Sequence, residues 1–298
     1  MSGLVLAVDI GGTKIAAGLV DRTGRLVRHA TRPTAAPVFD AVHAAIDAVR
    51  PGSVLAVGLS SAGPVDGPAG TVSPINIPTW RGFPLRSRLA EVLPGVPIAL
   101  AGDGLCMAAG EHWLGAGQGS DSMLGMVVST GVGGGLVLDG RPFGGRTGNA
   151  AHVGHVVAEP AGGDPCTCGG RGCVETVASG PNLVRWARRQ GWTSDRSASA
   201  AELAAAASGG DAIALAAFRR GGRAVGMAVV ATATVCDLDL VVIGGGVAQA
   251  GEVLFGPVRE TVAEHAGLSY LADLRVEPAK LGTRAGLFGA AALAFRTL

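Results

Sequence analysis

Four side chains that bind soft metals fall close together in this sequence. His155, Cys166, Cys168 and Cys173 lie in the stretch HVGHVV…PCTCGGRGCVET, in a chain with five cysteines. Three thiolates and an imidazole suit tetrahedral Zn²⁺, and four protein ligands would close its coordination sphere, which makes the metal structural rather than catalytic. Without a metal, the same residues would be three small buried thiols in a glycine-rich turn. A clip here would also fix the loop that carries His152, His155 and Glu175. The cluster therefore marks a functional region.

Glycine-rich loops form the second chemical signal. In Asp9-Ile10-Gly11-Gly12-Thr13-Lys14 the glycines would allow positive φ and close backbone approach, so that amides point at a phosphate. Thr13 adds a hydroxyl, Lys14 a charge, and Asp9 a carboxylate that could hold Mg²⁺ directly or through water. The loop Ser129-Thr130-Gly131-Val132-Gly133-Gly134-Gly135 is of the same kind, with Thr130, Gly131, Gly133 and Gly134 as its candidate phosphate contacts. Either loop alone could be an ordinary tight turn. At matching points of two similar segments they read as a nucleoside-triphosphate clamp. A third element, Gly244-Gly245-Gly246-Val247-Ala248, follows a buried strand and precedes a helix, where a ribose or base can lie against Gly245 and Gly246. It lacks the spacing of a dinucleotide fingerprint, and none of the loops ends in Gly-Lys-Ser/Thr, so a phosphate binder of another class is left.

The elements that must position these residues follow from pattern. Leu4 to Asp9 and Lys14 to Val20 read as strands separated by the first loop, with a turn at Asp21 to Gly24 and a third strand from Leu26 to Ala30. A helix is predicted over Phe39 to Val49, a strand over Val54 to Leu59, an irregular Pro/Gly segment over Gly63 to Pro84, a strand over Pro97 to Ala101 and a helix over Gly104 to Leu114. The cycle then repeats, with a strand at Gly125 to Ser129, a loop at Thr130 to Gly134, and a strand at Gly135 to Leu138 ending in the turn Asp139-Gly140. Helices are predicted at Pro181 to Gln190, at Ala200 to Ala207 behind a Ser199/Glu202 capping box, at Ala212 to Val235 and at Leu281 to Leu298, with a buried strand at Leu238 to Ile243. This is an α/β chain of two lobes: a small N-terminal lobe over 1–118, joined by the C-terminal helix of about 285–298, and a large lobe over 119–284 with the zinc loop. Such a pair makes an interlobe cleft.

Composition excludes several alternatives. A chain of 298 residues with a formal net charge of +1 offers no electrostatic case for nucleic acid or an anionic membrane. No apolar run reaches the roughly 18 residues of a membrane span, and the start MSGLVLAVDIGG reads as a first strand rather than a signal peptide. Three cysteines in a metal pattern, with Cys106 and Cys236 isolated, do not make a disulfide framework. The expectation is a soluble, cytoplasmic protein.

Taken together, the motifs resemble the ROK family of repressors and sugar kinases, within the actin-like ATPase superfamily (ribonuclease H-like fold). The resemblance runs through DIGGTK at 9–14, SSAGPVD at 60–66, GDG with GE at 102–111, STGVGGG at 129–135, HVGH at 152–155, CTCGGRGCVE at 166–175 and GGGVA at 244–248. It implies ATP, Mg²⁺, a structural Zn²⁺ and phosphorylation of a sugar hydroxyl, usually at C6. It assigns Asp103 as the general base, where local sequence alone would equally allow a helix N-cap. It puts Glu175 near C1 and C2 of the sugar rather than in a solvated loop, Asn76 beside the sugar rather than in an Asx-turn, and His155 on both sugar and zinc.

Two positions depart from the family's glucokinase pattern: Gly102 stands where that pattern has Asn, and His152 where it has Glu. Both bind sugar hydroxyls around C3 in the family, so the loss would weaken a glucose-type set by roughly 1–3 kcal/mol per unmatched polar group. The departures leave three readings: a hexose altered at C2 or C3, such as 3-amino-3-deoxyglucose, a glucokinase with rebuilt contacts, or a silent sugar-binding protein. A repressor would need a DNA-binding helix-turn-helix, for which the sequence before Leu4 leaves no room. The helix Ala212 to Val235 could be a core helix or the interface of a homodimer or homotetramer.

Overall fold

The computed structural model describes residues 3–50, 52–195 and 197–298. Its chain divides into two compact units, one of Met1–Gly119, Gly135–Ala151 and Leu281–Leu298, the other of Ser120–Gly134 and His152–Lys280. Hydrogen bonds explain why the segment 135–151 goes with the first: Asn149 accepts from Val65 N–H at 3.0 Å and donates to Val65 O at 2.6 Å.

Apolar runs make the central strands of the first unit. Strand β1 (Val5–Ile10) is almost wholly buried; β2 (Lys14–Val20) pairs with it antiparallel and β3 (Leu26–Pro33) forms the edge. After helix α1 (Val38–Val49) comes β4 (Val57–Ser61), parallel to β1 with Asp9 opposite Ser60. The Pro/Gly segment forms a short hairpin, β5 (Val65–Asp66) and β6 (Thr71–Val72), and then a turn in which Trp80 stacks on Phe83 at 4.2 Å. Helix α2 (Leu85–Val92) follows, buried only through Leu85 and Leu89, a stripe too narrow to be read from sequence. Strand β7 (Ile98–Gly102) completes the sheet order β3-β2-β1-β4-β7 and leads directly into α3 (Asp103–Leu114).

The second cycle repeats the first. Strands β8 (Met123–Val128), β9 (Val132–Leu138) and β10 (Arg141–Phe143) come in succession. Asp139 and Gly140 both have positive φ in the β9–β10 turn, as a two-residue hairpin requires. The glycine-dense loop is shorter than expected: Ser129 N–H donates to Gly131 O at 2.8 Å, which closes the turn and starts β9 at Val132. Helices α4 (Val174–Ala178), α5 (Gly180–Arg189), α6 (Ala200–Ser208, with its capping box) and α7 (Ala212–Cys236) follow, then β11 (Leu240–Gly244). Helix α8 (Glu252–His265) contains Pro257, a breaker in sequence, and β12 (Arg275–Pro278) buries only Val276. Strand β12 was not expected, whereas a helix was expected after Gly244 to Ala248 and begins there as the 3₁₀ turn Val247–Ala250 before α8. The sheet order β10-β9-β8-β11-β12 matches that of the first sheet, and this duplicated topology is the actin-like ATPase fold.

The last helix, α9 (Ala285–Phe295), returns to the first unit and lies against α3 at backbone contact distance. A Cβ on Gly289 would stand 1.6 Å from Cys106 O, and one on Gly110 2.3 Å from Ala285 O. Glycine is needed here for space. Among the described residues no single helix is long and apolar enough to cross a membrane.

Candidate active site

In the first unit, β1 ends and α3 begins with the two acids. Asp9 accepts a 2.6 Å hydrogen bond from the buried Ser60 hydroxyl, and burial raises its pKa against the opposing effects of Ser60 and Lys14. Asp103 is the first residue of α3, with Gly102 in the capping position, so it is not the N-cap that local sequence allowed. Its Oδ1 accepts from Gly104 N–H at 2.8 Å, which leaves Oδ2 free of that bond. Protein crowds the carboxyl on most sides while one face stays open to solvent. Crowding, with the charge of Asp9 beside it, pushes the Asp103 pKa up to about 6 against the Gly104 bond; water on the open face screens that rise. Gly102 is extended at φ −67° and a Cβ there would touch nothing within 4 Å.

The β1–β2 loop differs from expectation in one respect. Neither Gly11 nor Gly12 is among the residues of positive φ. Gly12 is needed for space instead, because a Cβ would lie 2.0 Å from the Asn76 amide nitrogen. Asn76 is thus laid over the loop that carries Thr13 and Lys14, both exposed. Gly11 N–H donates to Lys14 O at 3.0 Å, closing the turn.

In the second unit, His155, Cys166, Cys168 and Cys173 converge, with their ligand atoms all within 4.8 Å of one another. The Cys168–Cys173 sulfurs are 3.7 Å apart and Cys166 Sγ lies 3.6 Å from His155 Nδ1. A tetrahedron with Zn–S of about 2.3 Å and Zn–N of about 2.1 Å has edges of about 3.8 and 3.6 Å. The donor set fits zinc by composition and size. Gly170 N–H beside Cys168 pulls its pKa below the ordinary thiol value, while burial and the neighbouring sulfurs push Cys173 up to about 12, a cost that a cation among them would offset.

Two residues past Cys173, Glu175 sits in the first turn of α4 and reaches the glycine loop at Gly131 and Val132. Its Oε2 accepts from Val132 N–H at 2.9 Å and would lie 2.7 Å from a Cβ on Gly131. His152 precedes the short 3₁₀ turn Val153–His155 and its ring stacks 6.0 Å from that of His155. Burial and the His155 charge lower its pKa, against Glu175. Gly133 and Gly134, expected in the loop, lie instead in β9. Gly245 has φ +98° and would strike Val128 O at 2.3 Å with any side chain.

Thr130 and Gly246 line a cavity of about 850 Å³ whose other walls include Pro181, Val184, Ser199 and Ala200. Its accessible wall is mainly apolar, although Arg185, Arg188 and Arg189 also line it, and it is large enough for a nucleoside. Sequence reasoning did not find these α5 and α6 residues, because Pro181 in a first helical turn and Ser199 in a capping box already have structural reasons to be there. Ser60 lay inside the motif SSAGPVD, but its bond to Asp9 depends on the β1–β4 pairing.

The ROK family model matches residues 5–297. A glucokinase of Thermotoga maritima is 36% identical over 97% of this chain and 96% of its own length. The chain belongs to the ROK family. An N-acetylmannosamine kinase of Yersinia pseudotuberculosis is 34% identical to this ROK chain, over 97% of each. The crystal structure of a ROK glucokinase from Streptomyces griseus, in complex with glucose and AMPPNP, has a TM-score of 0.84 at 36% identity and covers 99% of this chain and 100% of that one.

Proposed function

We propose that this chain is an ATP-dependent sugar kinase that transfers the γ-phosphoryl group to the 6-hydroxyl of a hexose or amino-hexose, with Asp103 as general base. The observation that carries the reading is the Asp103 carboxyl itself: accessible, fixed by Gly104 N–H, and raised toward about 6, near where a general base works best. Its free oxygen accepts the hydroxyl proton as the sugar oxygen bonds to the γ-phosphorus and ADP leaves. Most of the acceleration in such a transfer comes from positioning and charge stabilisation rather than from the base.

Asp9 is the carboxylate that would hold Mg²⁺, which supplies charge neutralisation for the phosphates. Within the first unit Gly11, Gly12, Thr13 and Lys14 are candidate phosphate contacts; within the second Thr130 and Gly131 are candidate phosphate contacts, and the cavity beside Gly245 and Gly246 takes the nucleoside. Glu175, His152 and His155 of the second unit are candidate sugar contacts, on a loop that zinc at His155, Cys166, Cys168 and Cys173 would hold, and Asn76 is the first unit's own candidate. The glucokinase and N-acetylmannosamine kinase relatives support the substrate class.

The sugar is one altered at C2 or C3, with 3-amino-3-deoxyglucose as the leading candidate and glucose as the alternative. Gly102 and His152 favour the altered sugar, since Gly102 leaves open space where a glucose-type site places an amide. The test is kcat/KM by ADP release over glucose, mannose, N-acetylmannosamine, glucosamine and 3-amino-3-deoxyglucose, with Asp103→Asn as control. Gly102→Asn should move the preference toward glucose by a factor of about 5 to 100, the equivalent of one buried hydrogen bond. A wild-type preference for glucose rejects the altered-sugar reading; absence of turnover with every sugar rejects the kinase in favour of a silent sugar-binding protein.

A further inference from the structure

The first unit holds a second cavity, of about 460 Å³, between the C-terminal ends of α3 and α9. Its charged walls are Arg22 and Arg296, with His112 and Gln118 beside them, and no carboxylate lines it. The Arg22 guanidinium is held 5.2 Å above the Phe295 ring, and Phe295 meets Trp113 edge to face at 5.8 Å. Among the described residues neither Arg22 nor Arg296 takes part in a salt bridge. Two permanent cations without a lining counter-charge, beside two aromatic faces, form a site of definite chemistry. The guanidinium forks call for an oxyanion, and a phosphate offers three acceptor oxygens. The rings call for a flat or CH-rich body of one-ring size.

We infer that this cavity is a second ligand site, taking a monophosphate carried on a single ring. Its position gives the binding a consequence. Helix α3 begins at Asp103, and the second residue of α9, Gly286, lies so close to Asp9 that a Cβ would meet its carboxylate at 2.9 Å. The two helices touch backbone to backbone through Gly110 and Gly289. An occupant at their far ends therefore presses on a locked pair that carries Asp103 at one N-terminus and abuts Asp9 at the other.

The test is calorimetric titration of the full chain with phenyl phosphate, glucose 6-phosphate, phenol and inorganic phosphate. It is independent of the kinase reading, because phenyl phosphate need not be a substrate or product. Phenyl phosphate should bind about tenfold more tightly than phenol or phosphate alone. Whichever of the two ring phosphates binds more tightly identifies the body as arene or sugar. R22Q/R296Q, and R296Q alone as the milder variant, should weaken phenyl phosphate binding about tenfold or more, with the melting curve unchanged. Bound phenyl phosphate should change kcat of the wild type and not of R22Q/R296Q. Binding unaffected by both variants, displaced by the sugar substrate, or absent up to about 5 mM would overturn the site. A wild-type kcat unchanged at saturation would overturn its coupling to Asp9 and Asp103.

Discussion

Replacing Gly131 by alanine tests whether the zinc-side carboxylate and the phosphate loop act as one piece. The new Cβ would stand 2.7 Å from Glu175 Oε2, whereas ordinary contact begins near 3.4 Å, so the oxygen must yield by about 0.7 Å. Displaced along its bond, it would lie about 3.6 Å from Val132 N instead of 2.9 Å, beyond hydrogen-bonding range. Gly131 is not at positive φ, so backbone strain adds nothing. A bond from an amide to a carboxylate contributes about 1.5–3 kcal/mol; since Glu175 is only partly buried, the loss is set at about 1–2 kcal/mol, a factor of about 5 to 30. That loss should appear as a raised KM for ATP as well as for the sugar, measured by ADP release, because Ser129 and Thr130 of the same turn line the cavity proposed for the nucleoside. Glu175→Gln is the companion variant: its amide oxygen can still accept from Val132, so its KM for ATP should stay near wild type while the sugar KM rises. A Gly131→Ala enzyme whose KM for ATP is unchanged within about twofold would refute the coupling.

Four further outcomes follow from the geometry. Asp103 must be ionised to accept a proton, so kcat/KM should climb as pH rises through about 6, and Asp103→Asn should lower kcat by about 10²–10⁴; a flat profile between pH 5 and 7 would remove the base. The same raised pKa has a stability sign: the folded state holds this proton more tightly than the unfolded chain, so the Asp103 contribution favours folding at low pH and is lost as pH climbs from about 4 to about 6, a dependence Asp103→Asn should flatten in melting experiments. Metal analysis should find one zinc per chain, and Cys173→Ser, which strikes the buried ligand, should abolish it and raise the sugar KM; full sugar binding by the zinc-free protein would count against the clip. Gly289→Ala should cost at least about 1–3 kcal/mol, because its neighbour is the Cys106 carbonyl rather than a flexible side chain, and an unchanged melting temperature would contradict the α3–α9 packing.

What the sequence made legible, and what it hid, divides along physical lines. The duplicated strand, glycine loop, strand pattern and the Cys₃His cluster were readable because period and residue type dictate them, and the capping box Ser199/Glu202 formed as spaced. The glycines misled in kind. Gly11, Gly12 and Gly131 appeared to be wanted for positive φ, yet none has it; a Cβ on Gly12 would meet Asn76 and one on Gly131 would meet Glu175, residues far away in the chain, while one on Gly11 would meet only the nearby Lys14 carbonyl at 3.2 Å. Gly245 does have the positive φ that its loop position suggests. Strand β12 was missed because a single buried Val276 makes no alternation, and the helix expected after Gly244 to Ala248 had no bounds because Pro257 reads as a breaker. The cavity lined by Thr130 and Gly246 was hidden because tertiary packing alone brings α5 and α6 beside Gly246.

One electrostatic device recurs at all three acids. Asp103 opens α3 and accepts from the amide of its second residue; Glu175 lies in the first turn of α4 and accepts from Val132; Asp9 faces the start of α9 across the missing side chain of Gly286 and accepts from Ser60. None of the three forms a salt bridge among the described residues. Backbone amides and a hydroxyl orient a carboxylate without neutralising it, whereas an arginine partner would hold its pKa well down and occupy both oxygens. Burial outweighs the lowering effect of these hydrogen bonds and raises the pKa of Asp9 and of Asp103, so that each carries a charge that is costly to hold. A carboxylate in that condition gains by taking a proton or a cation, which is the work that phosphoryl transfer to a hydroxyl asks of it.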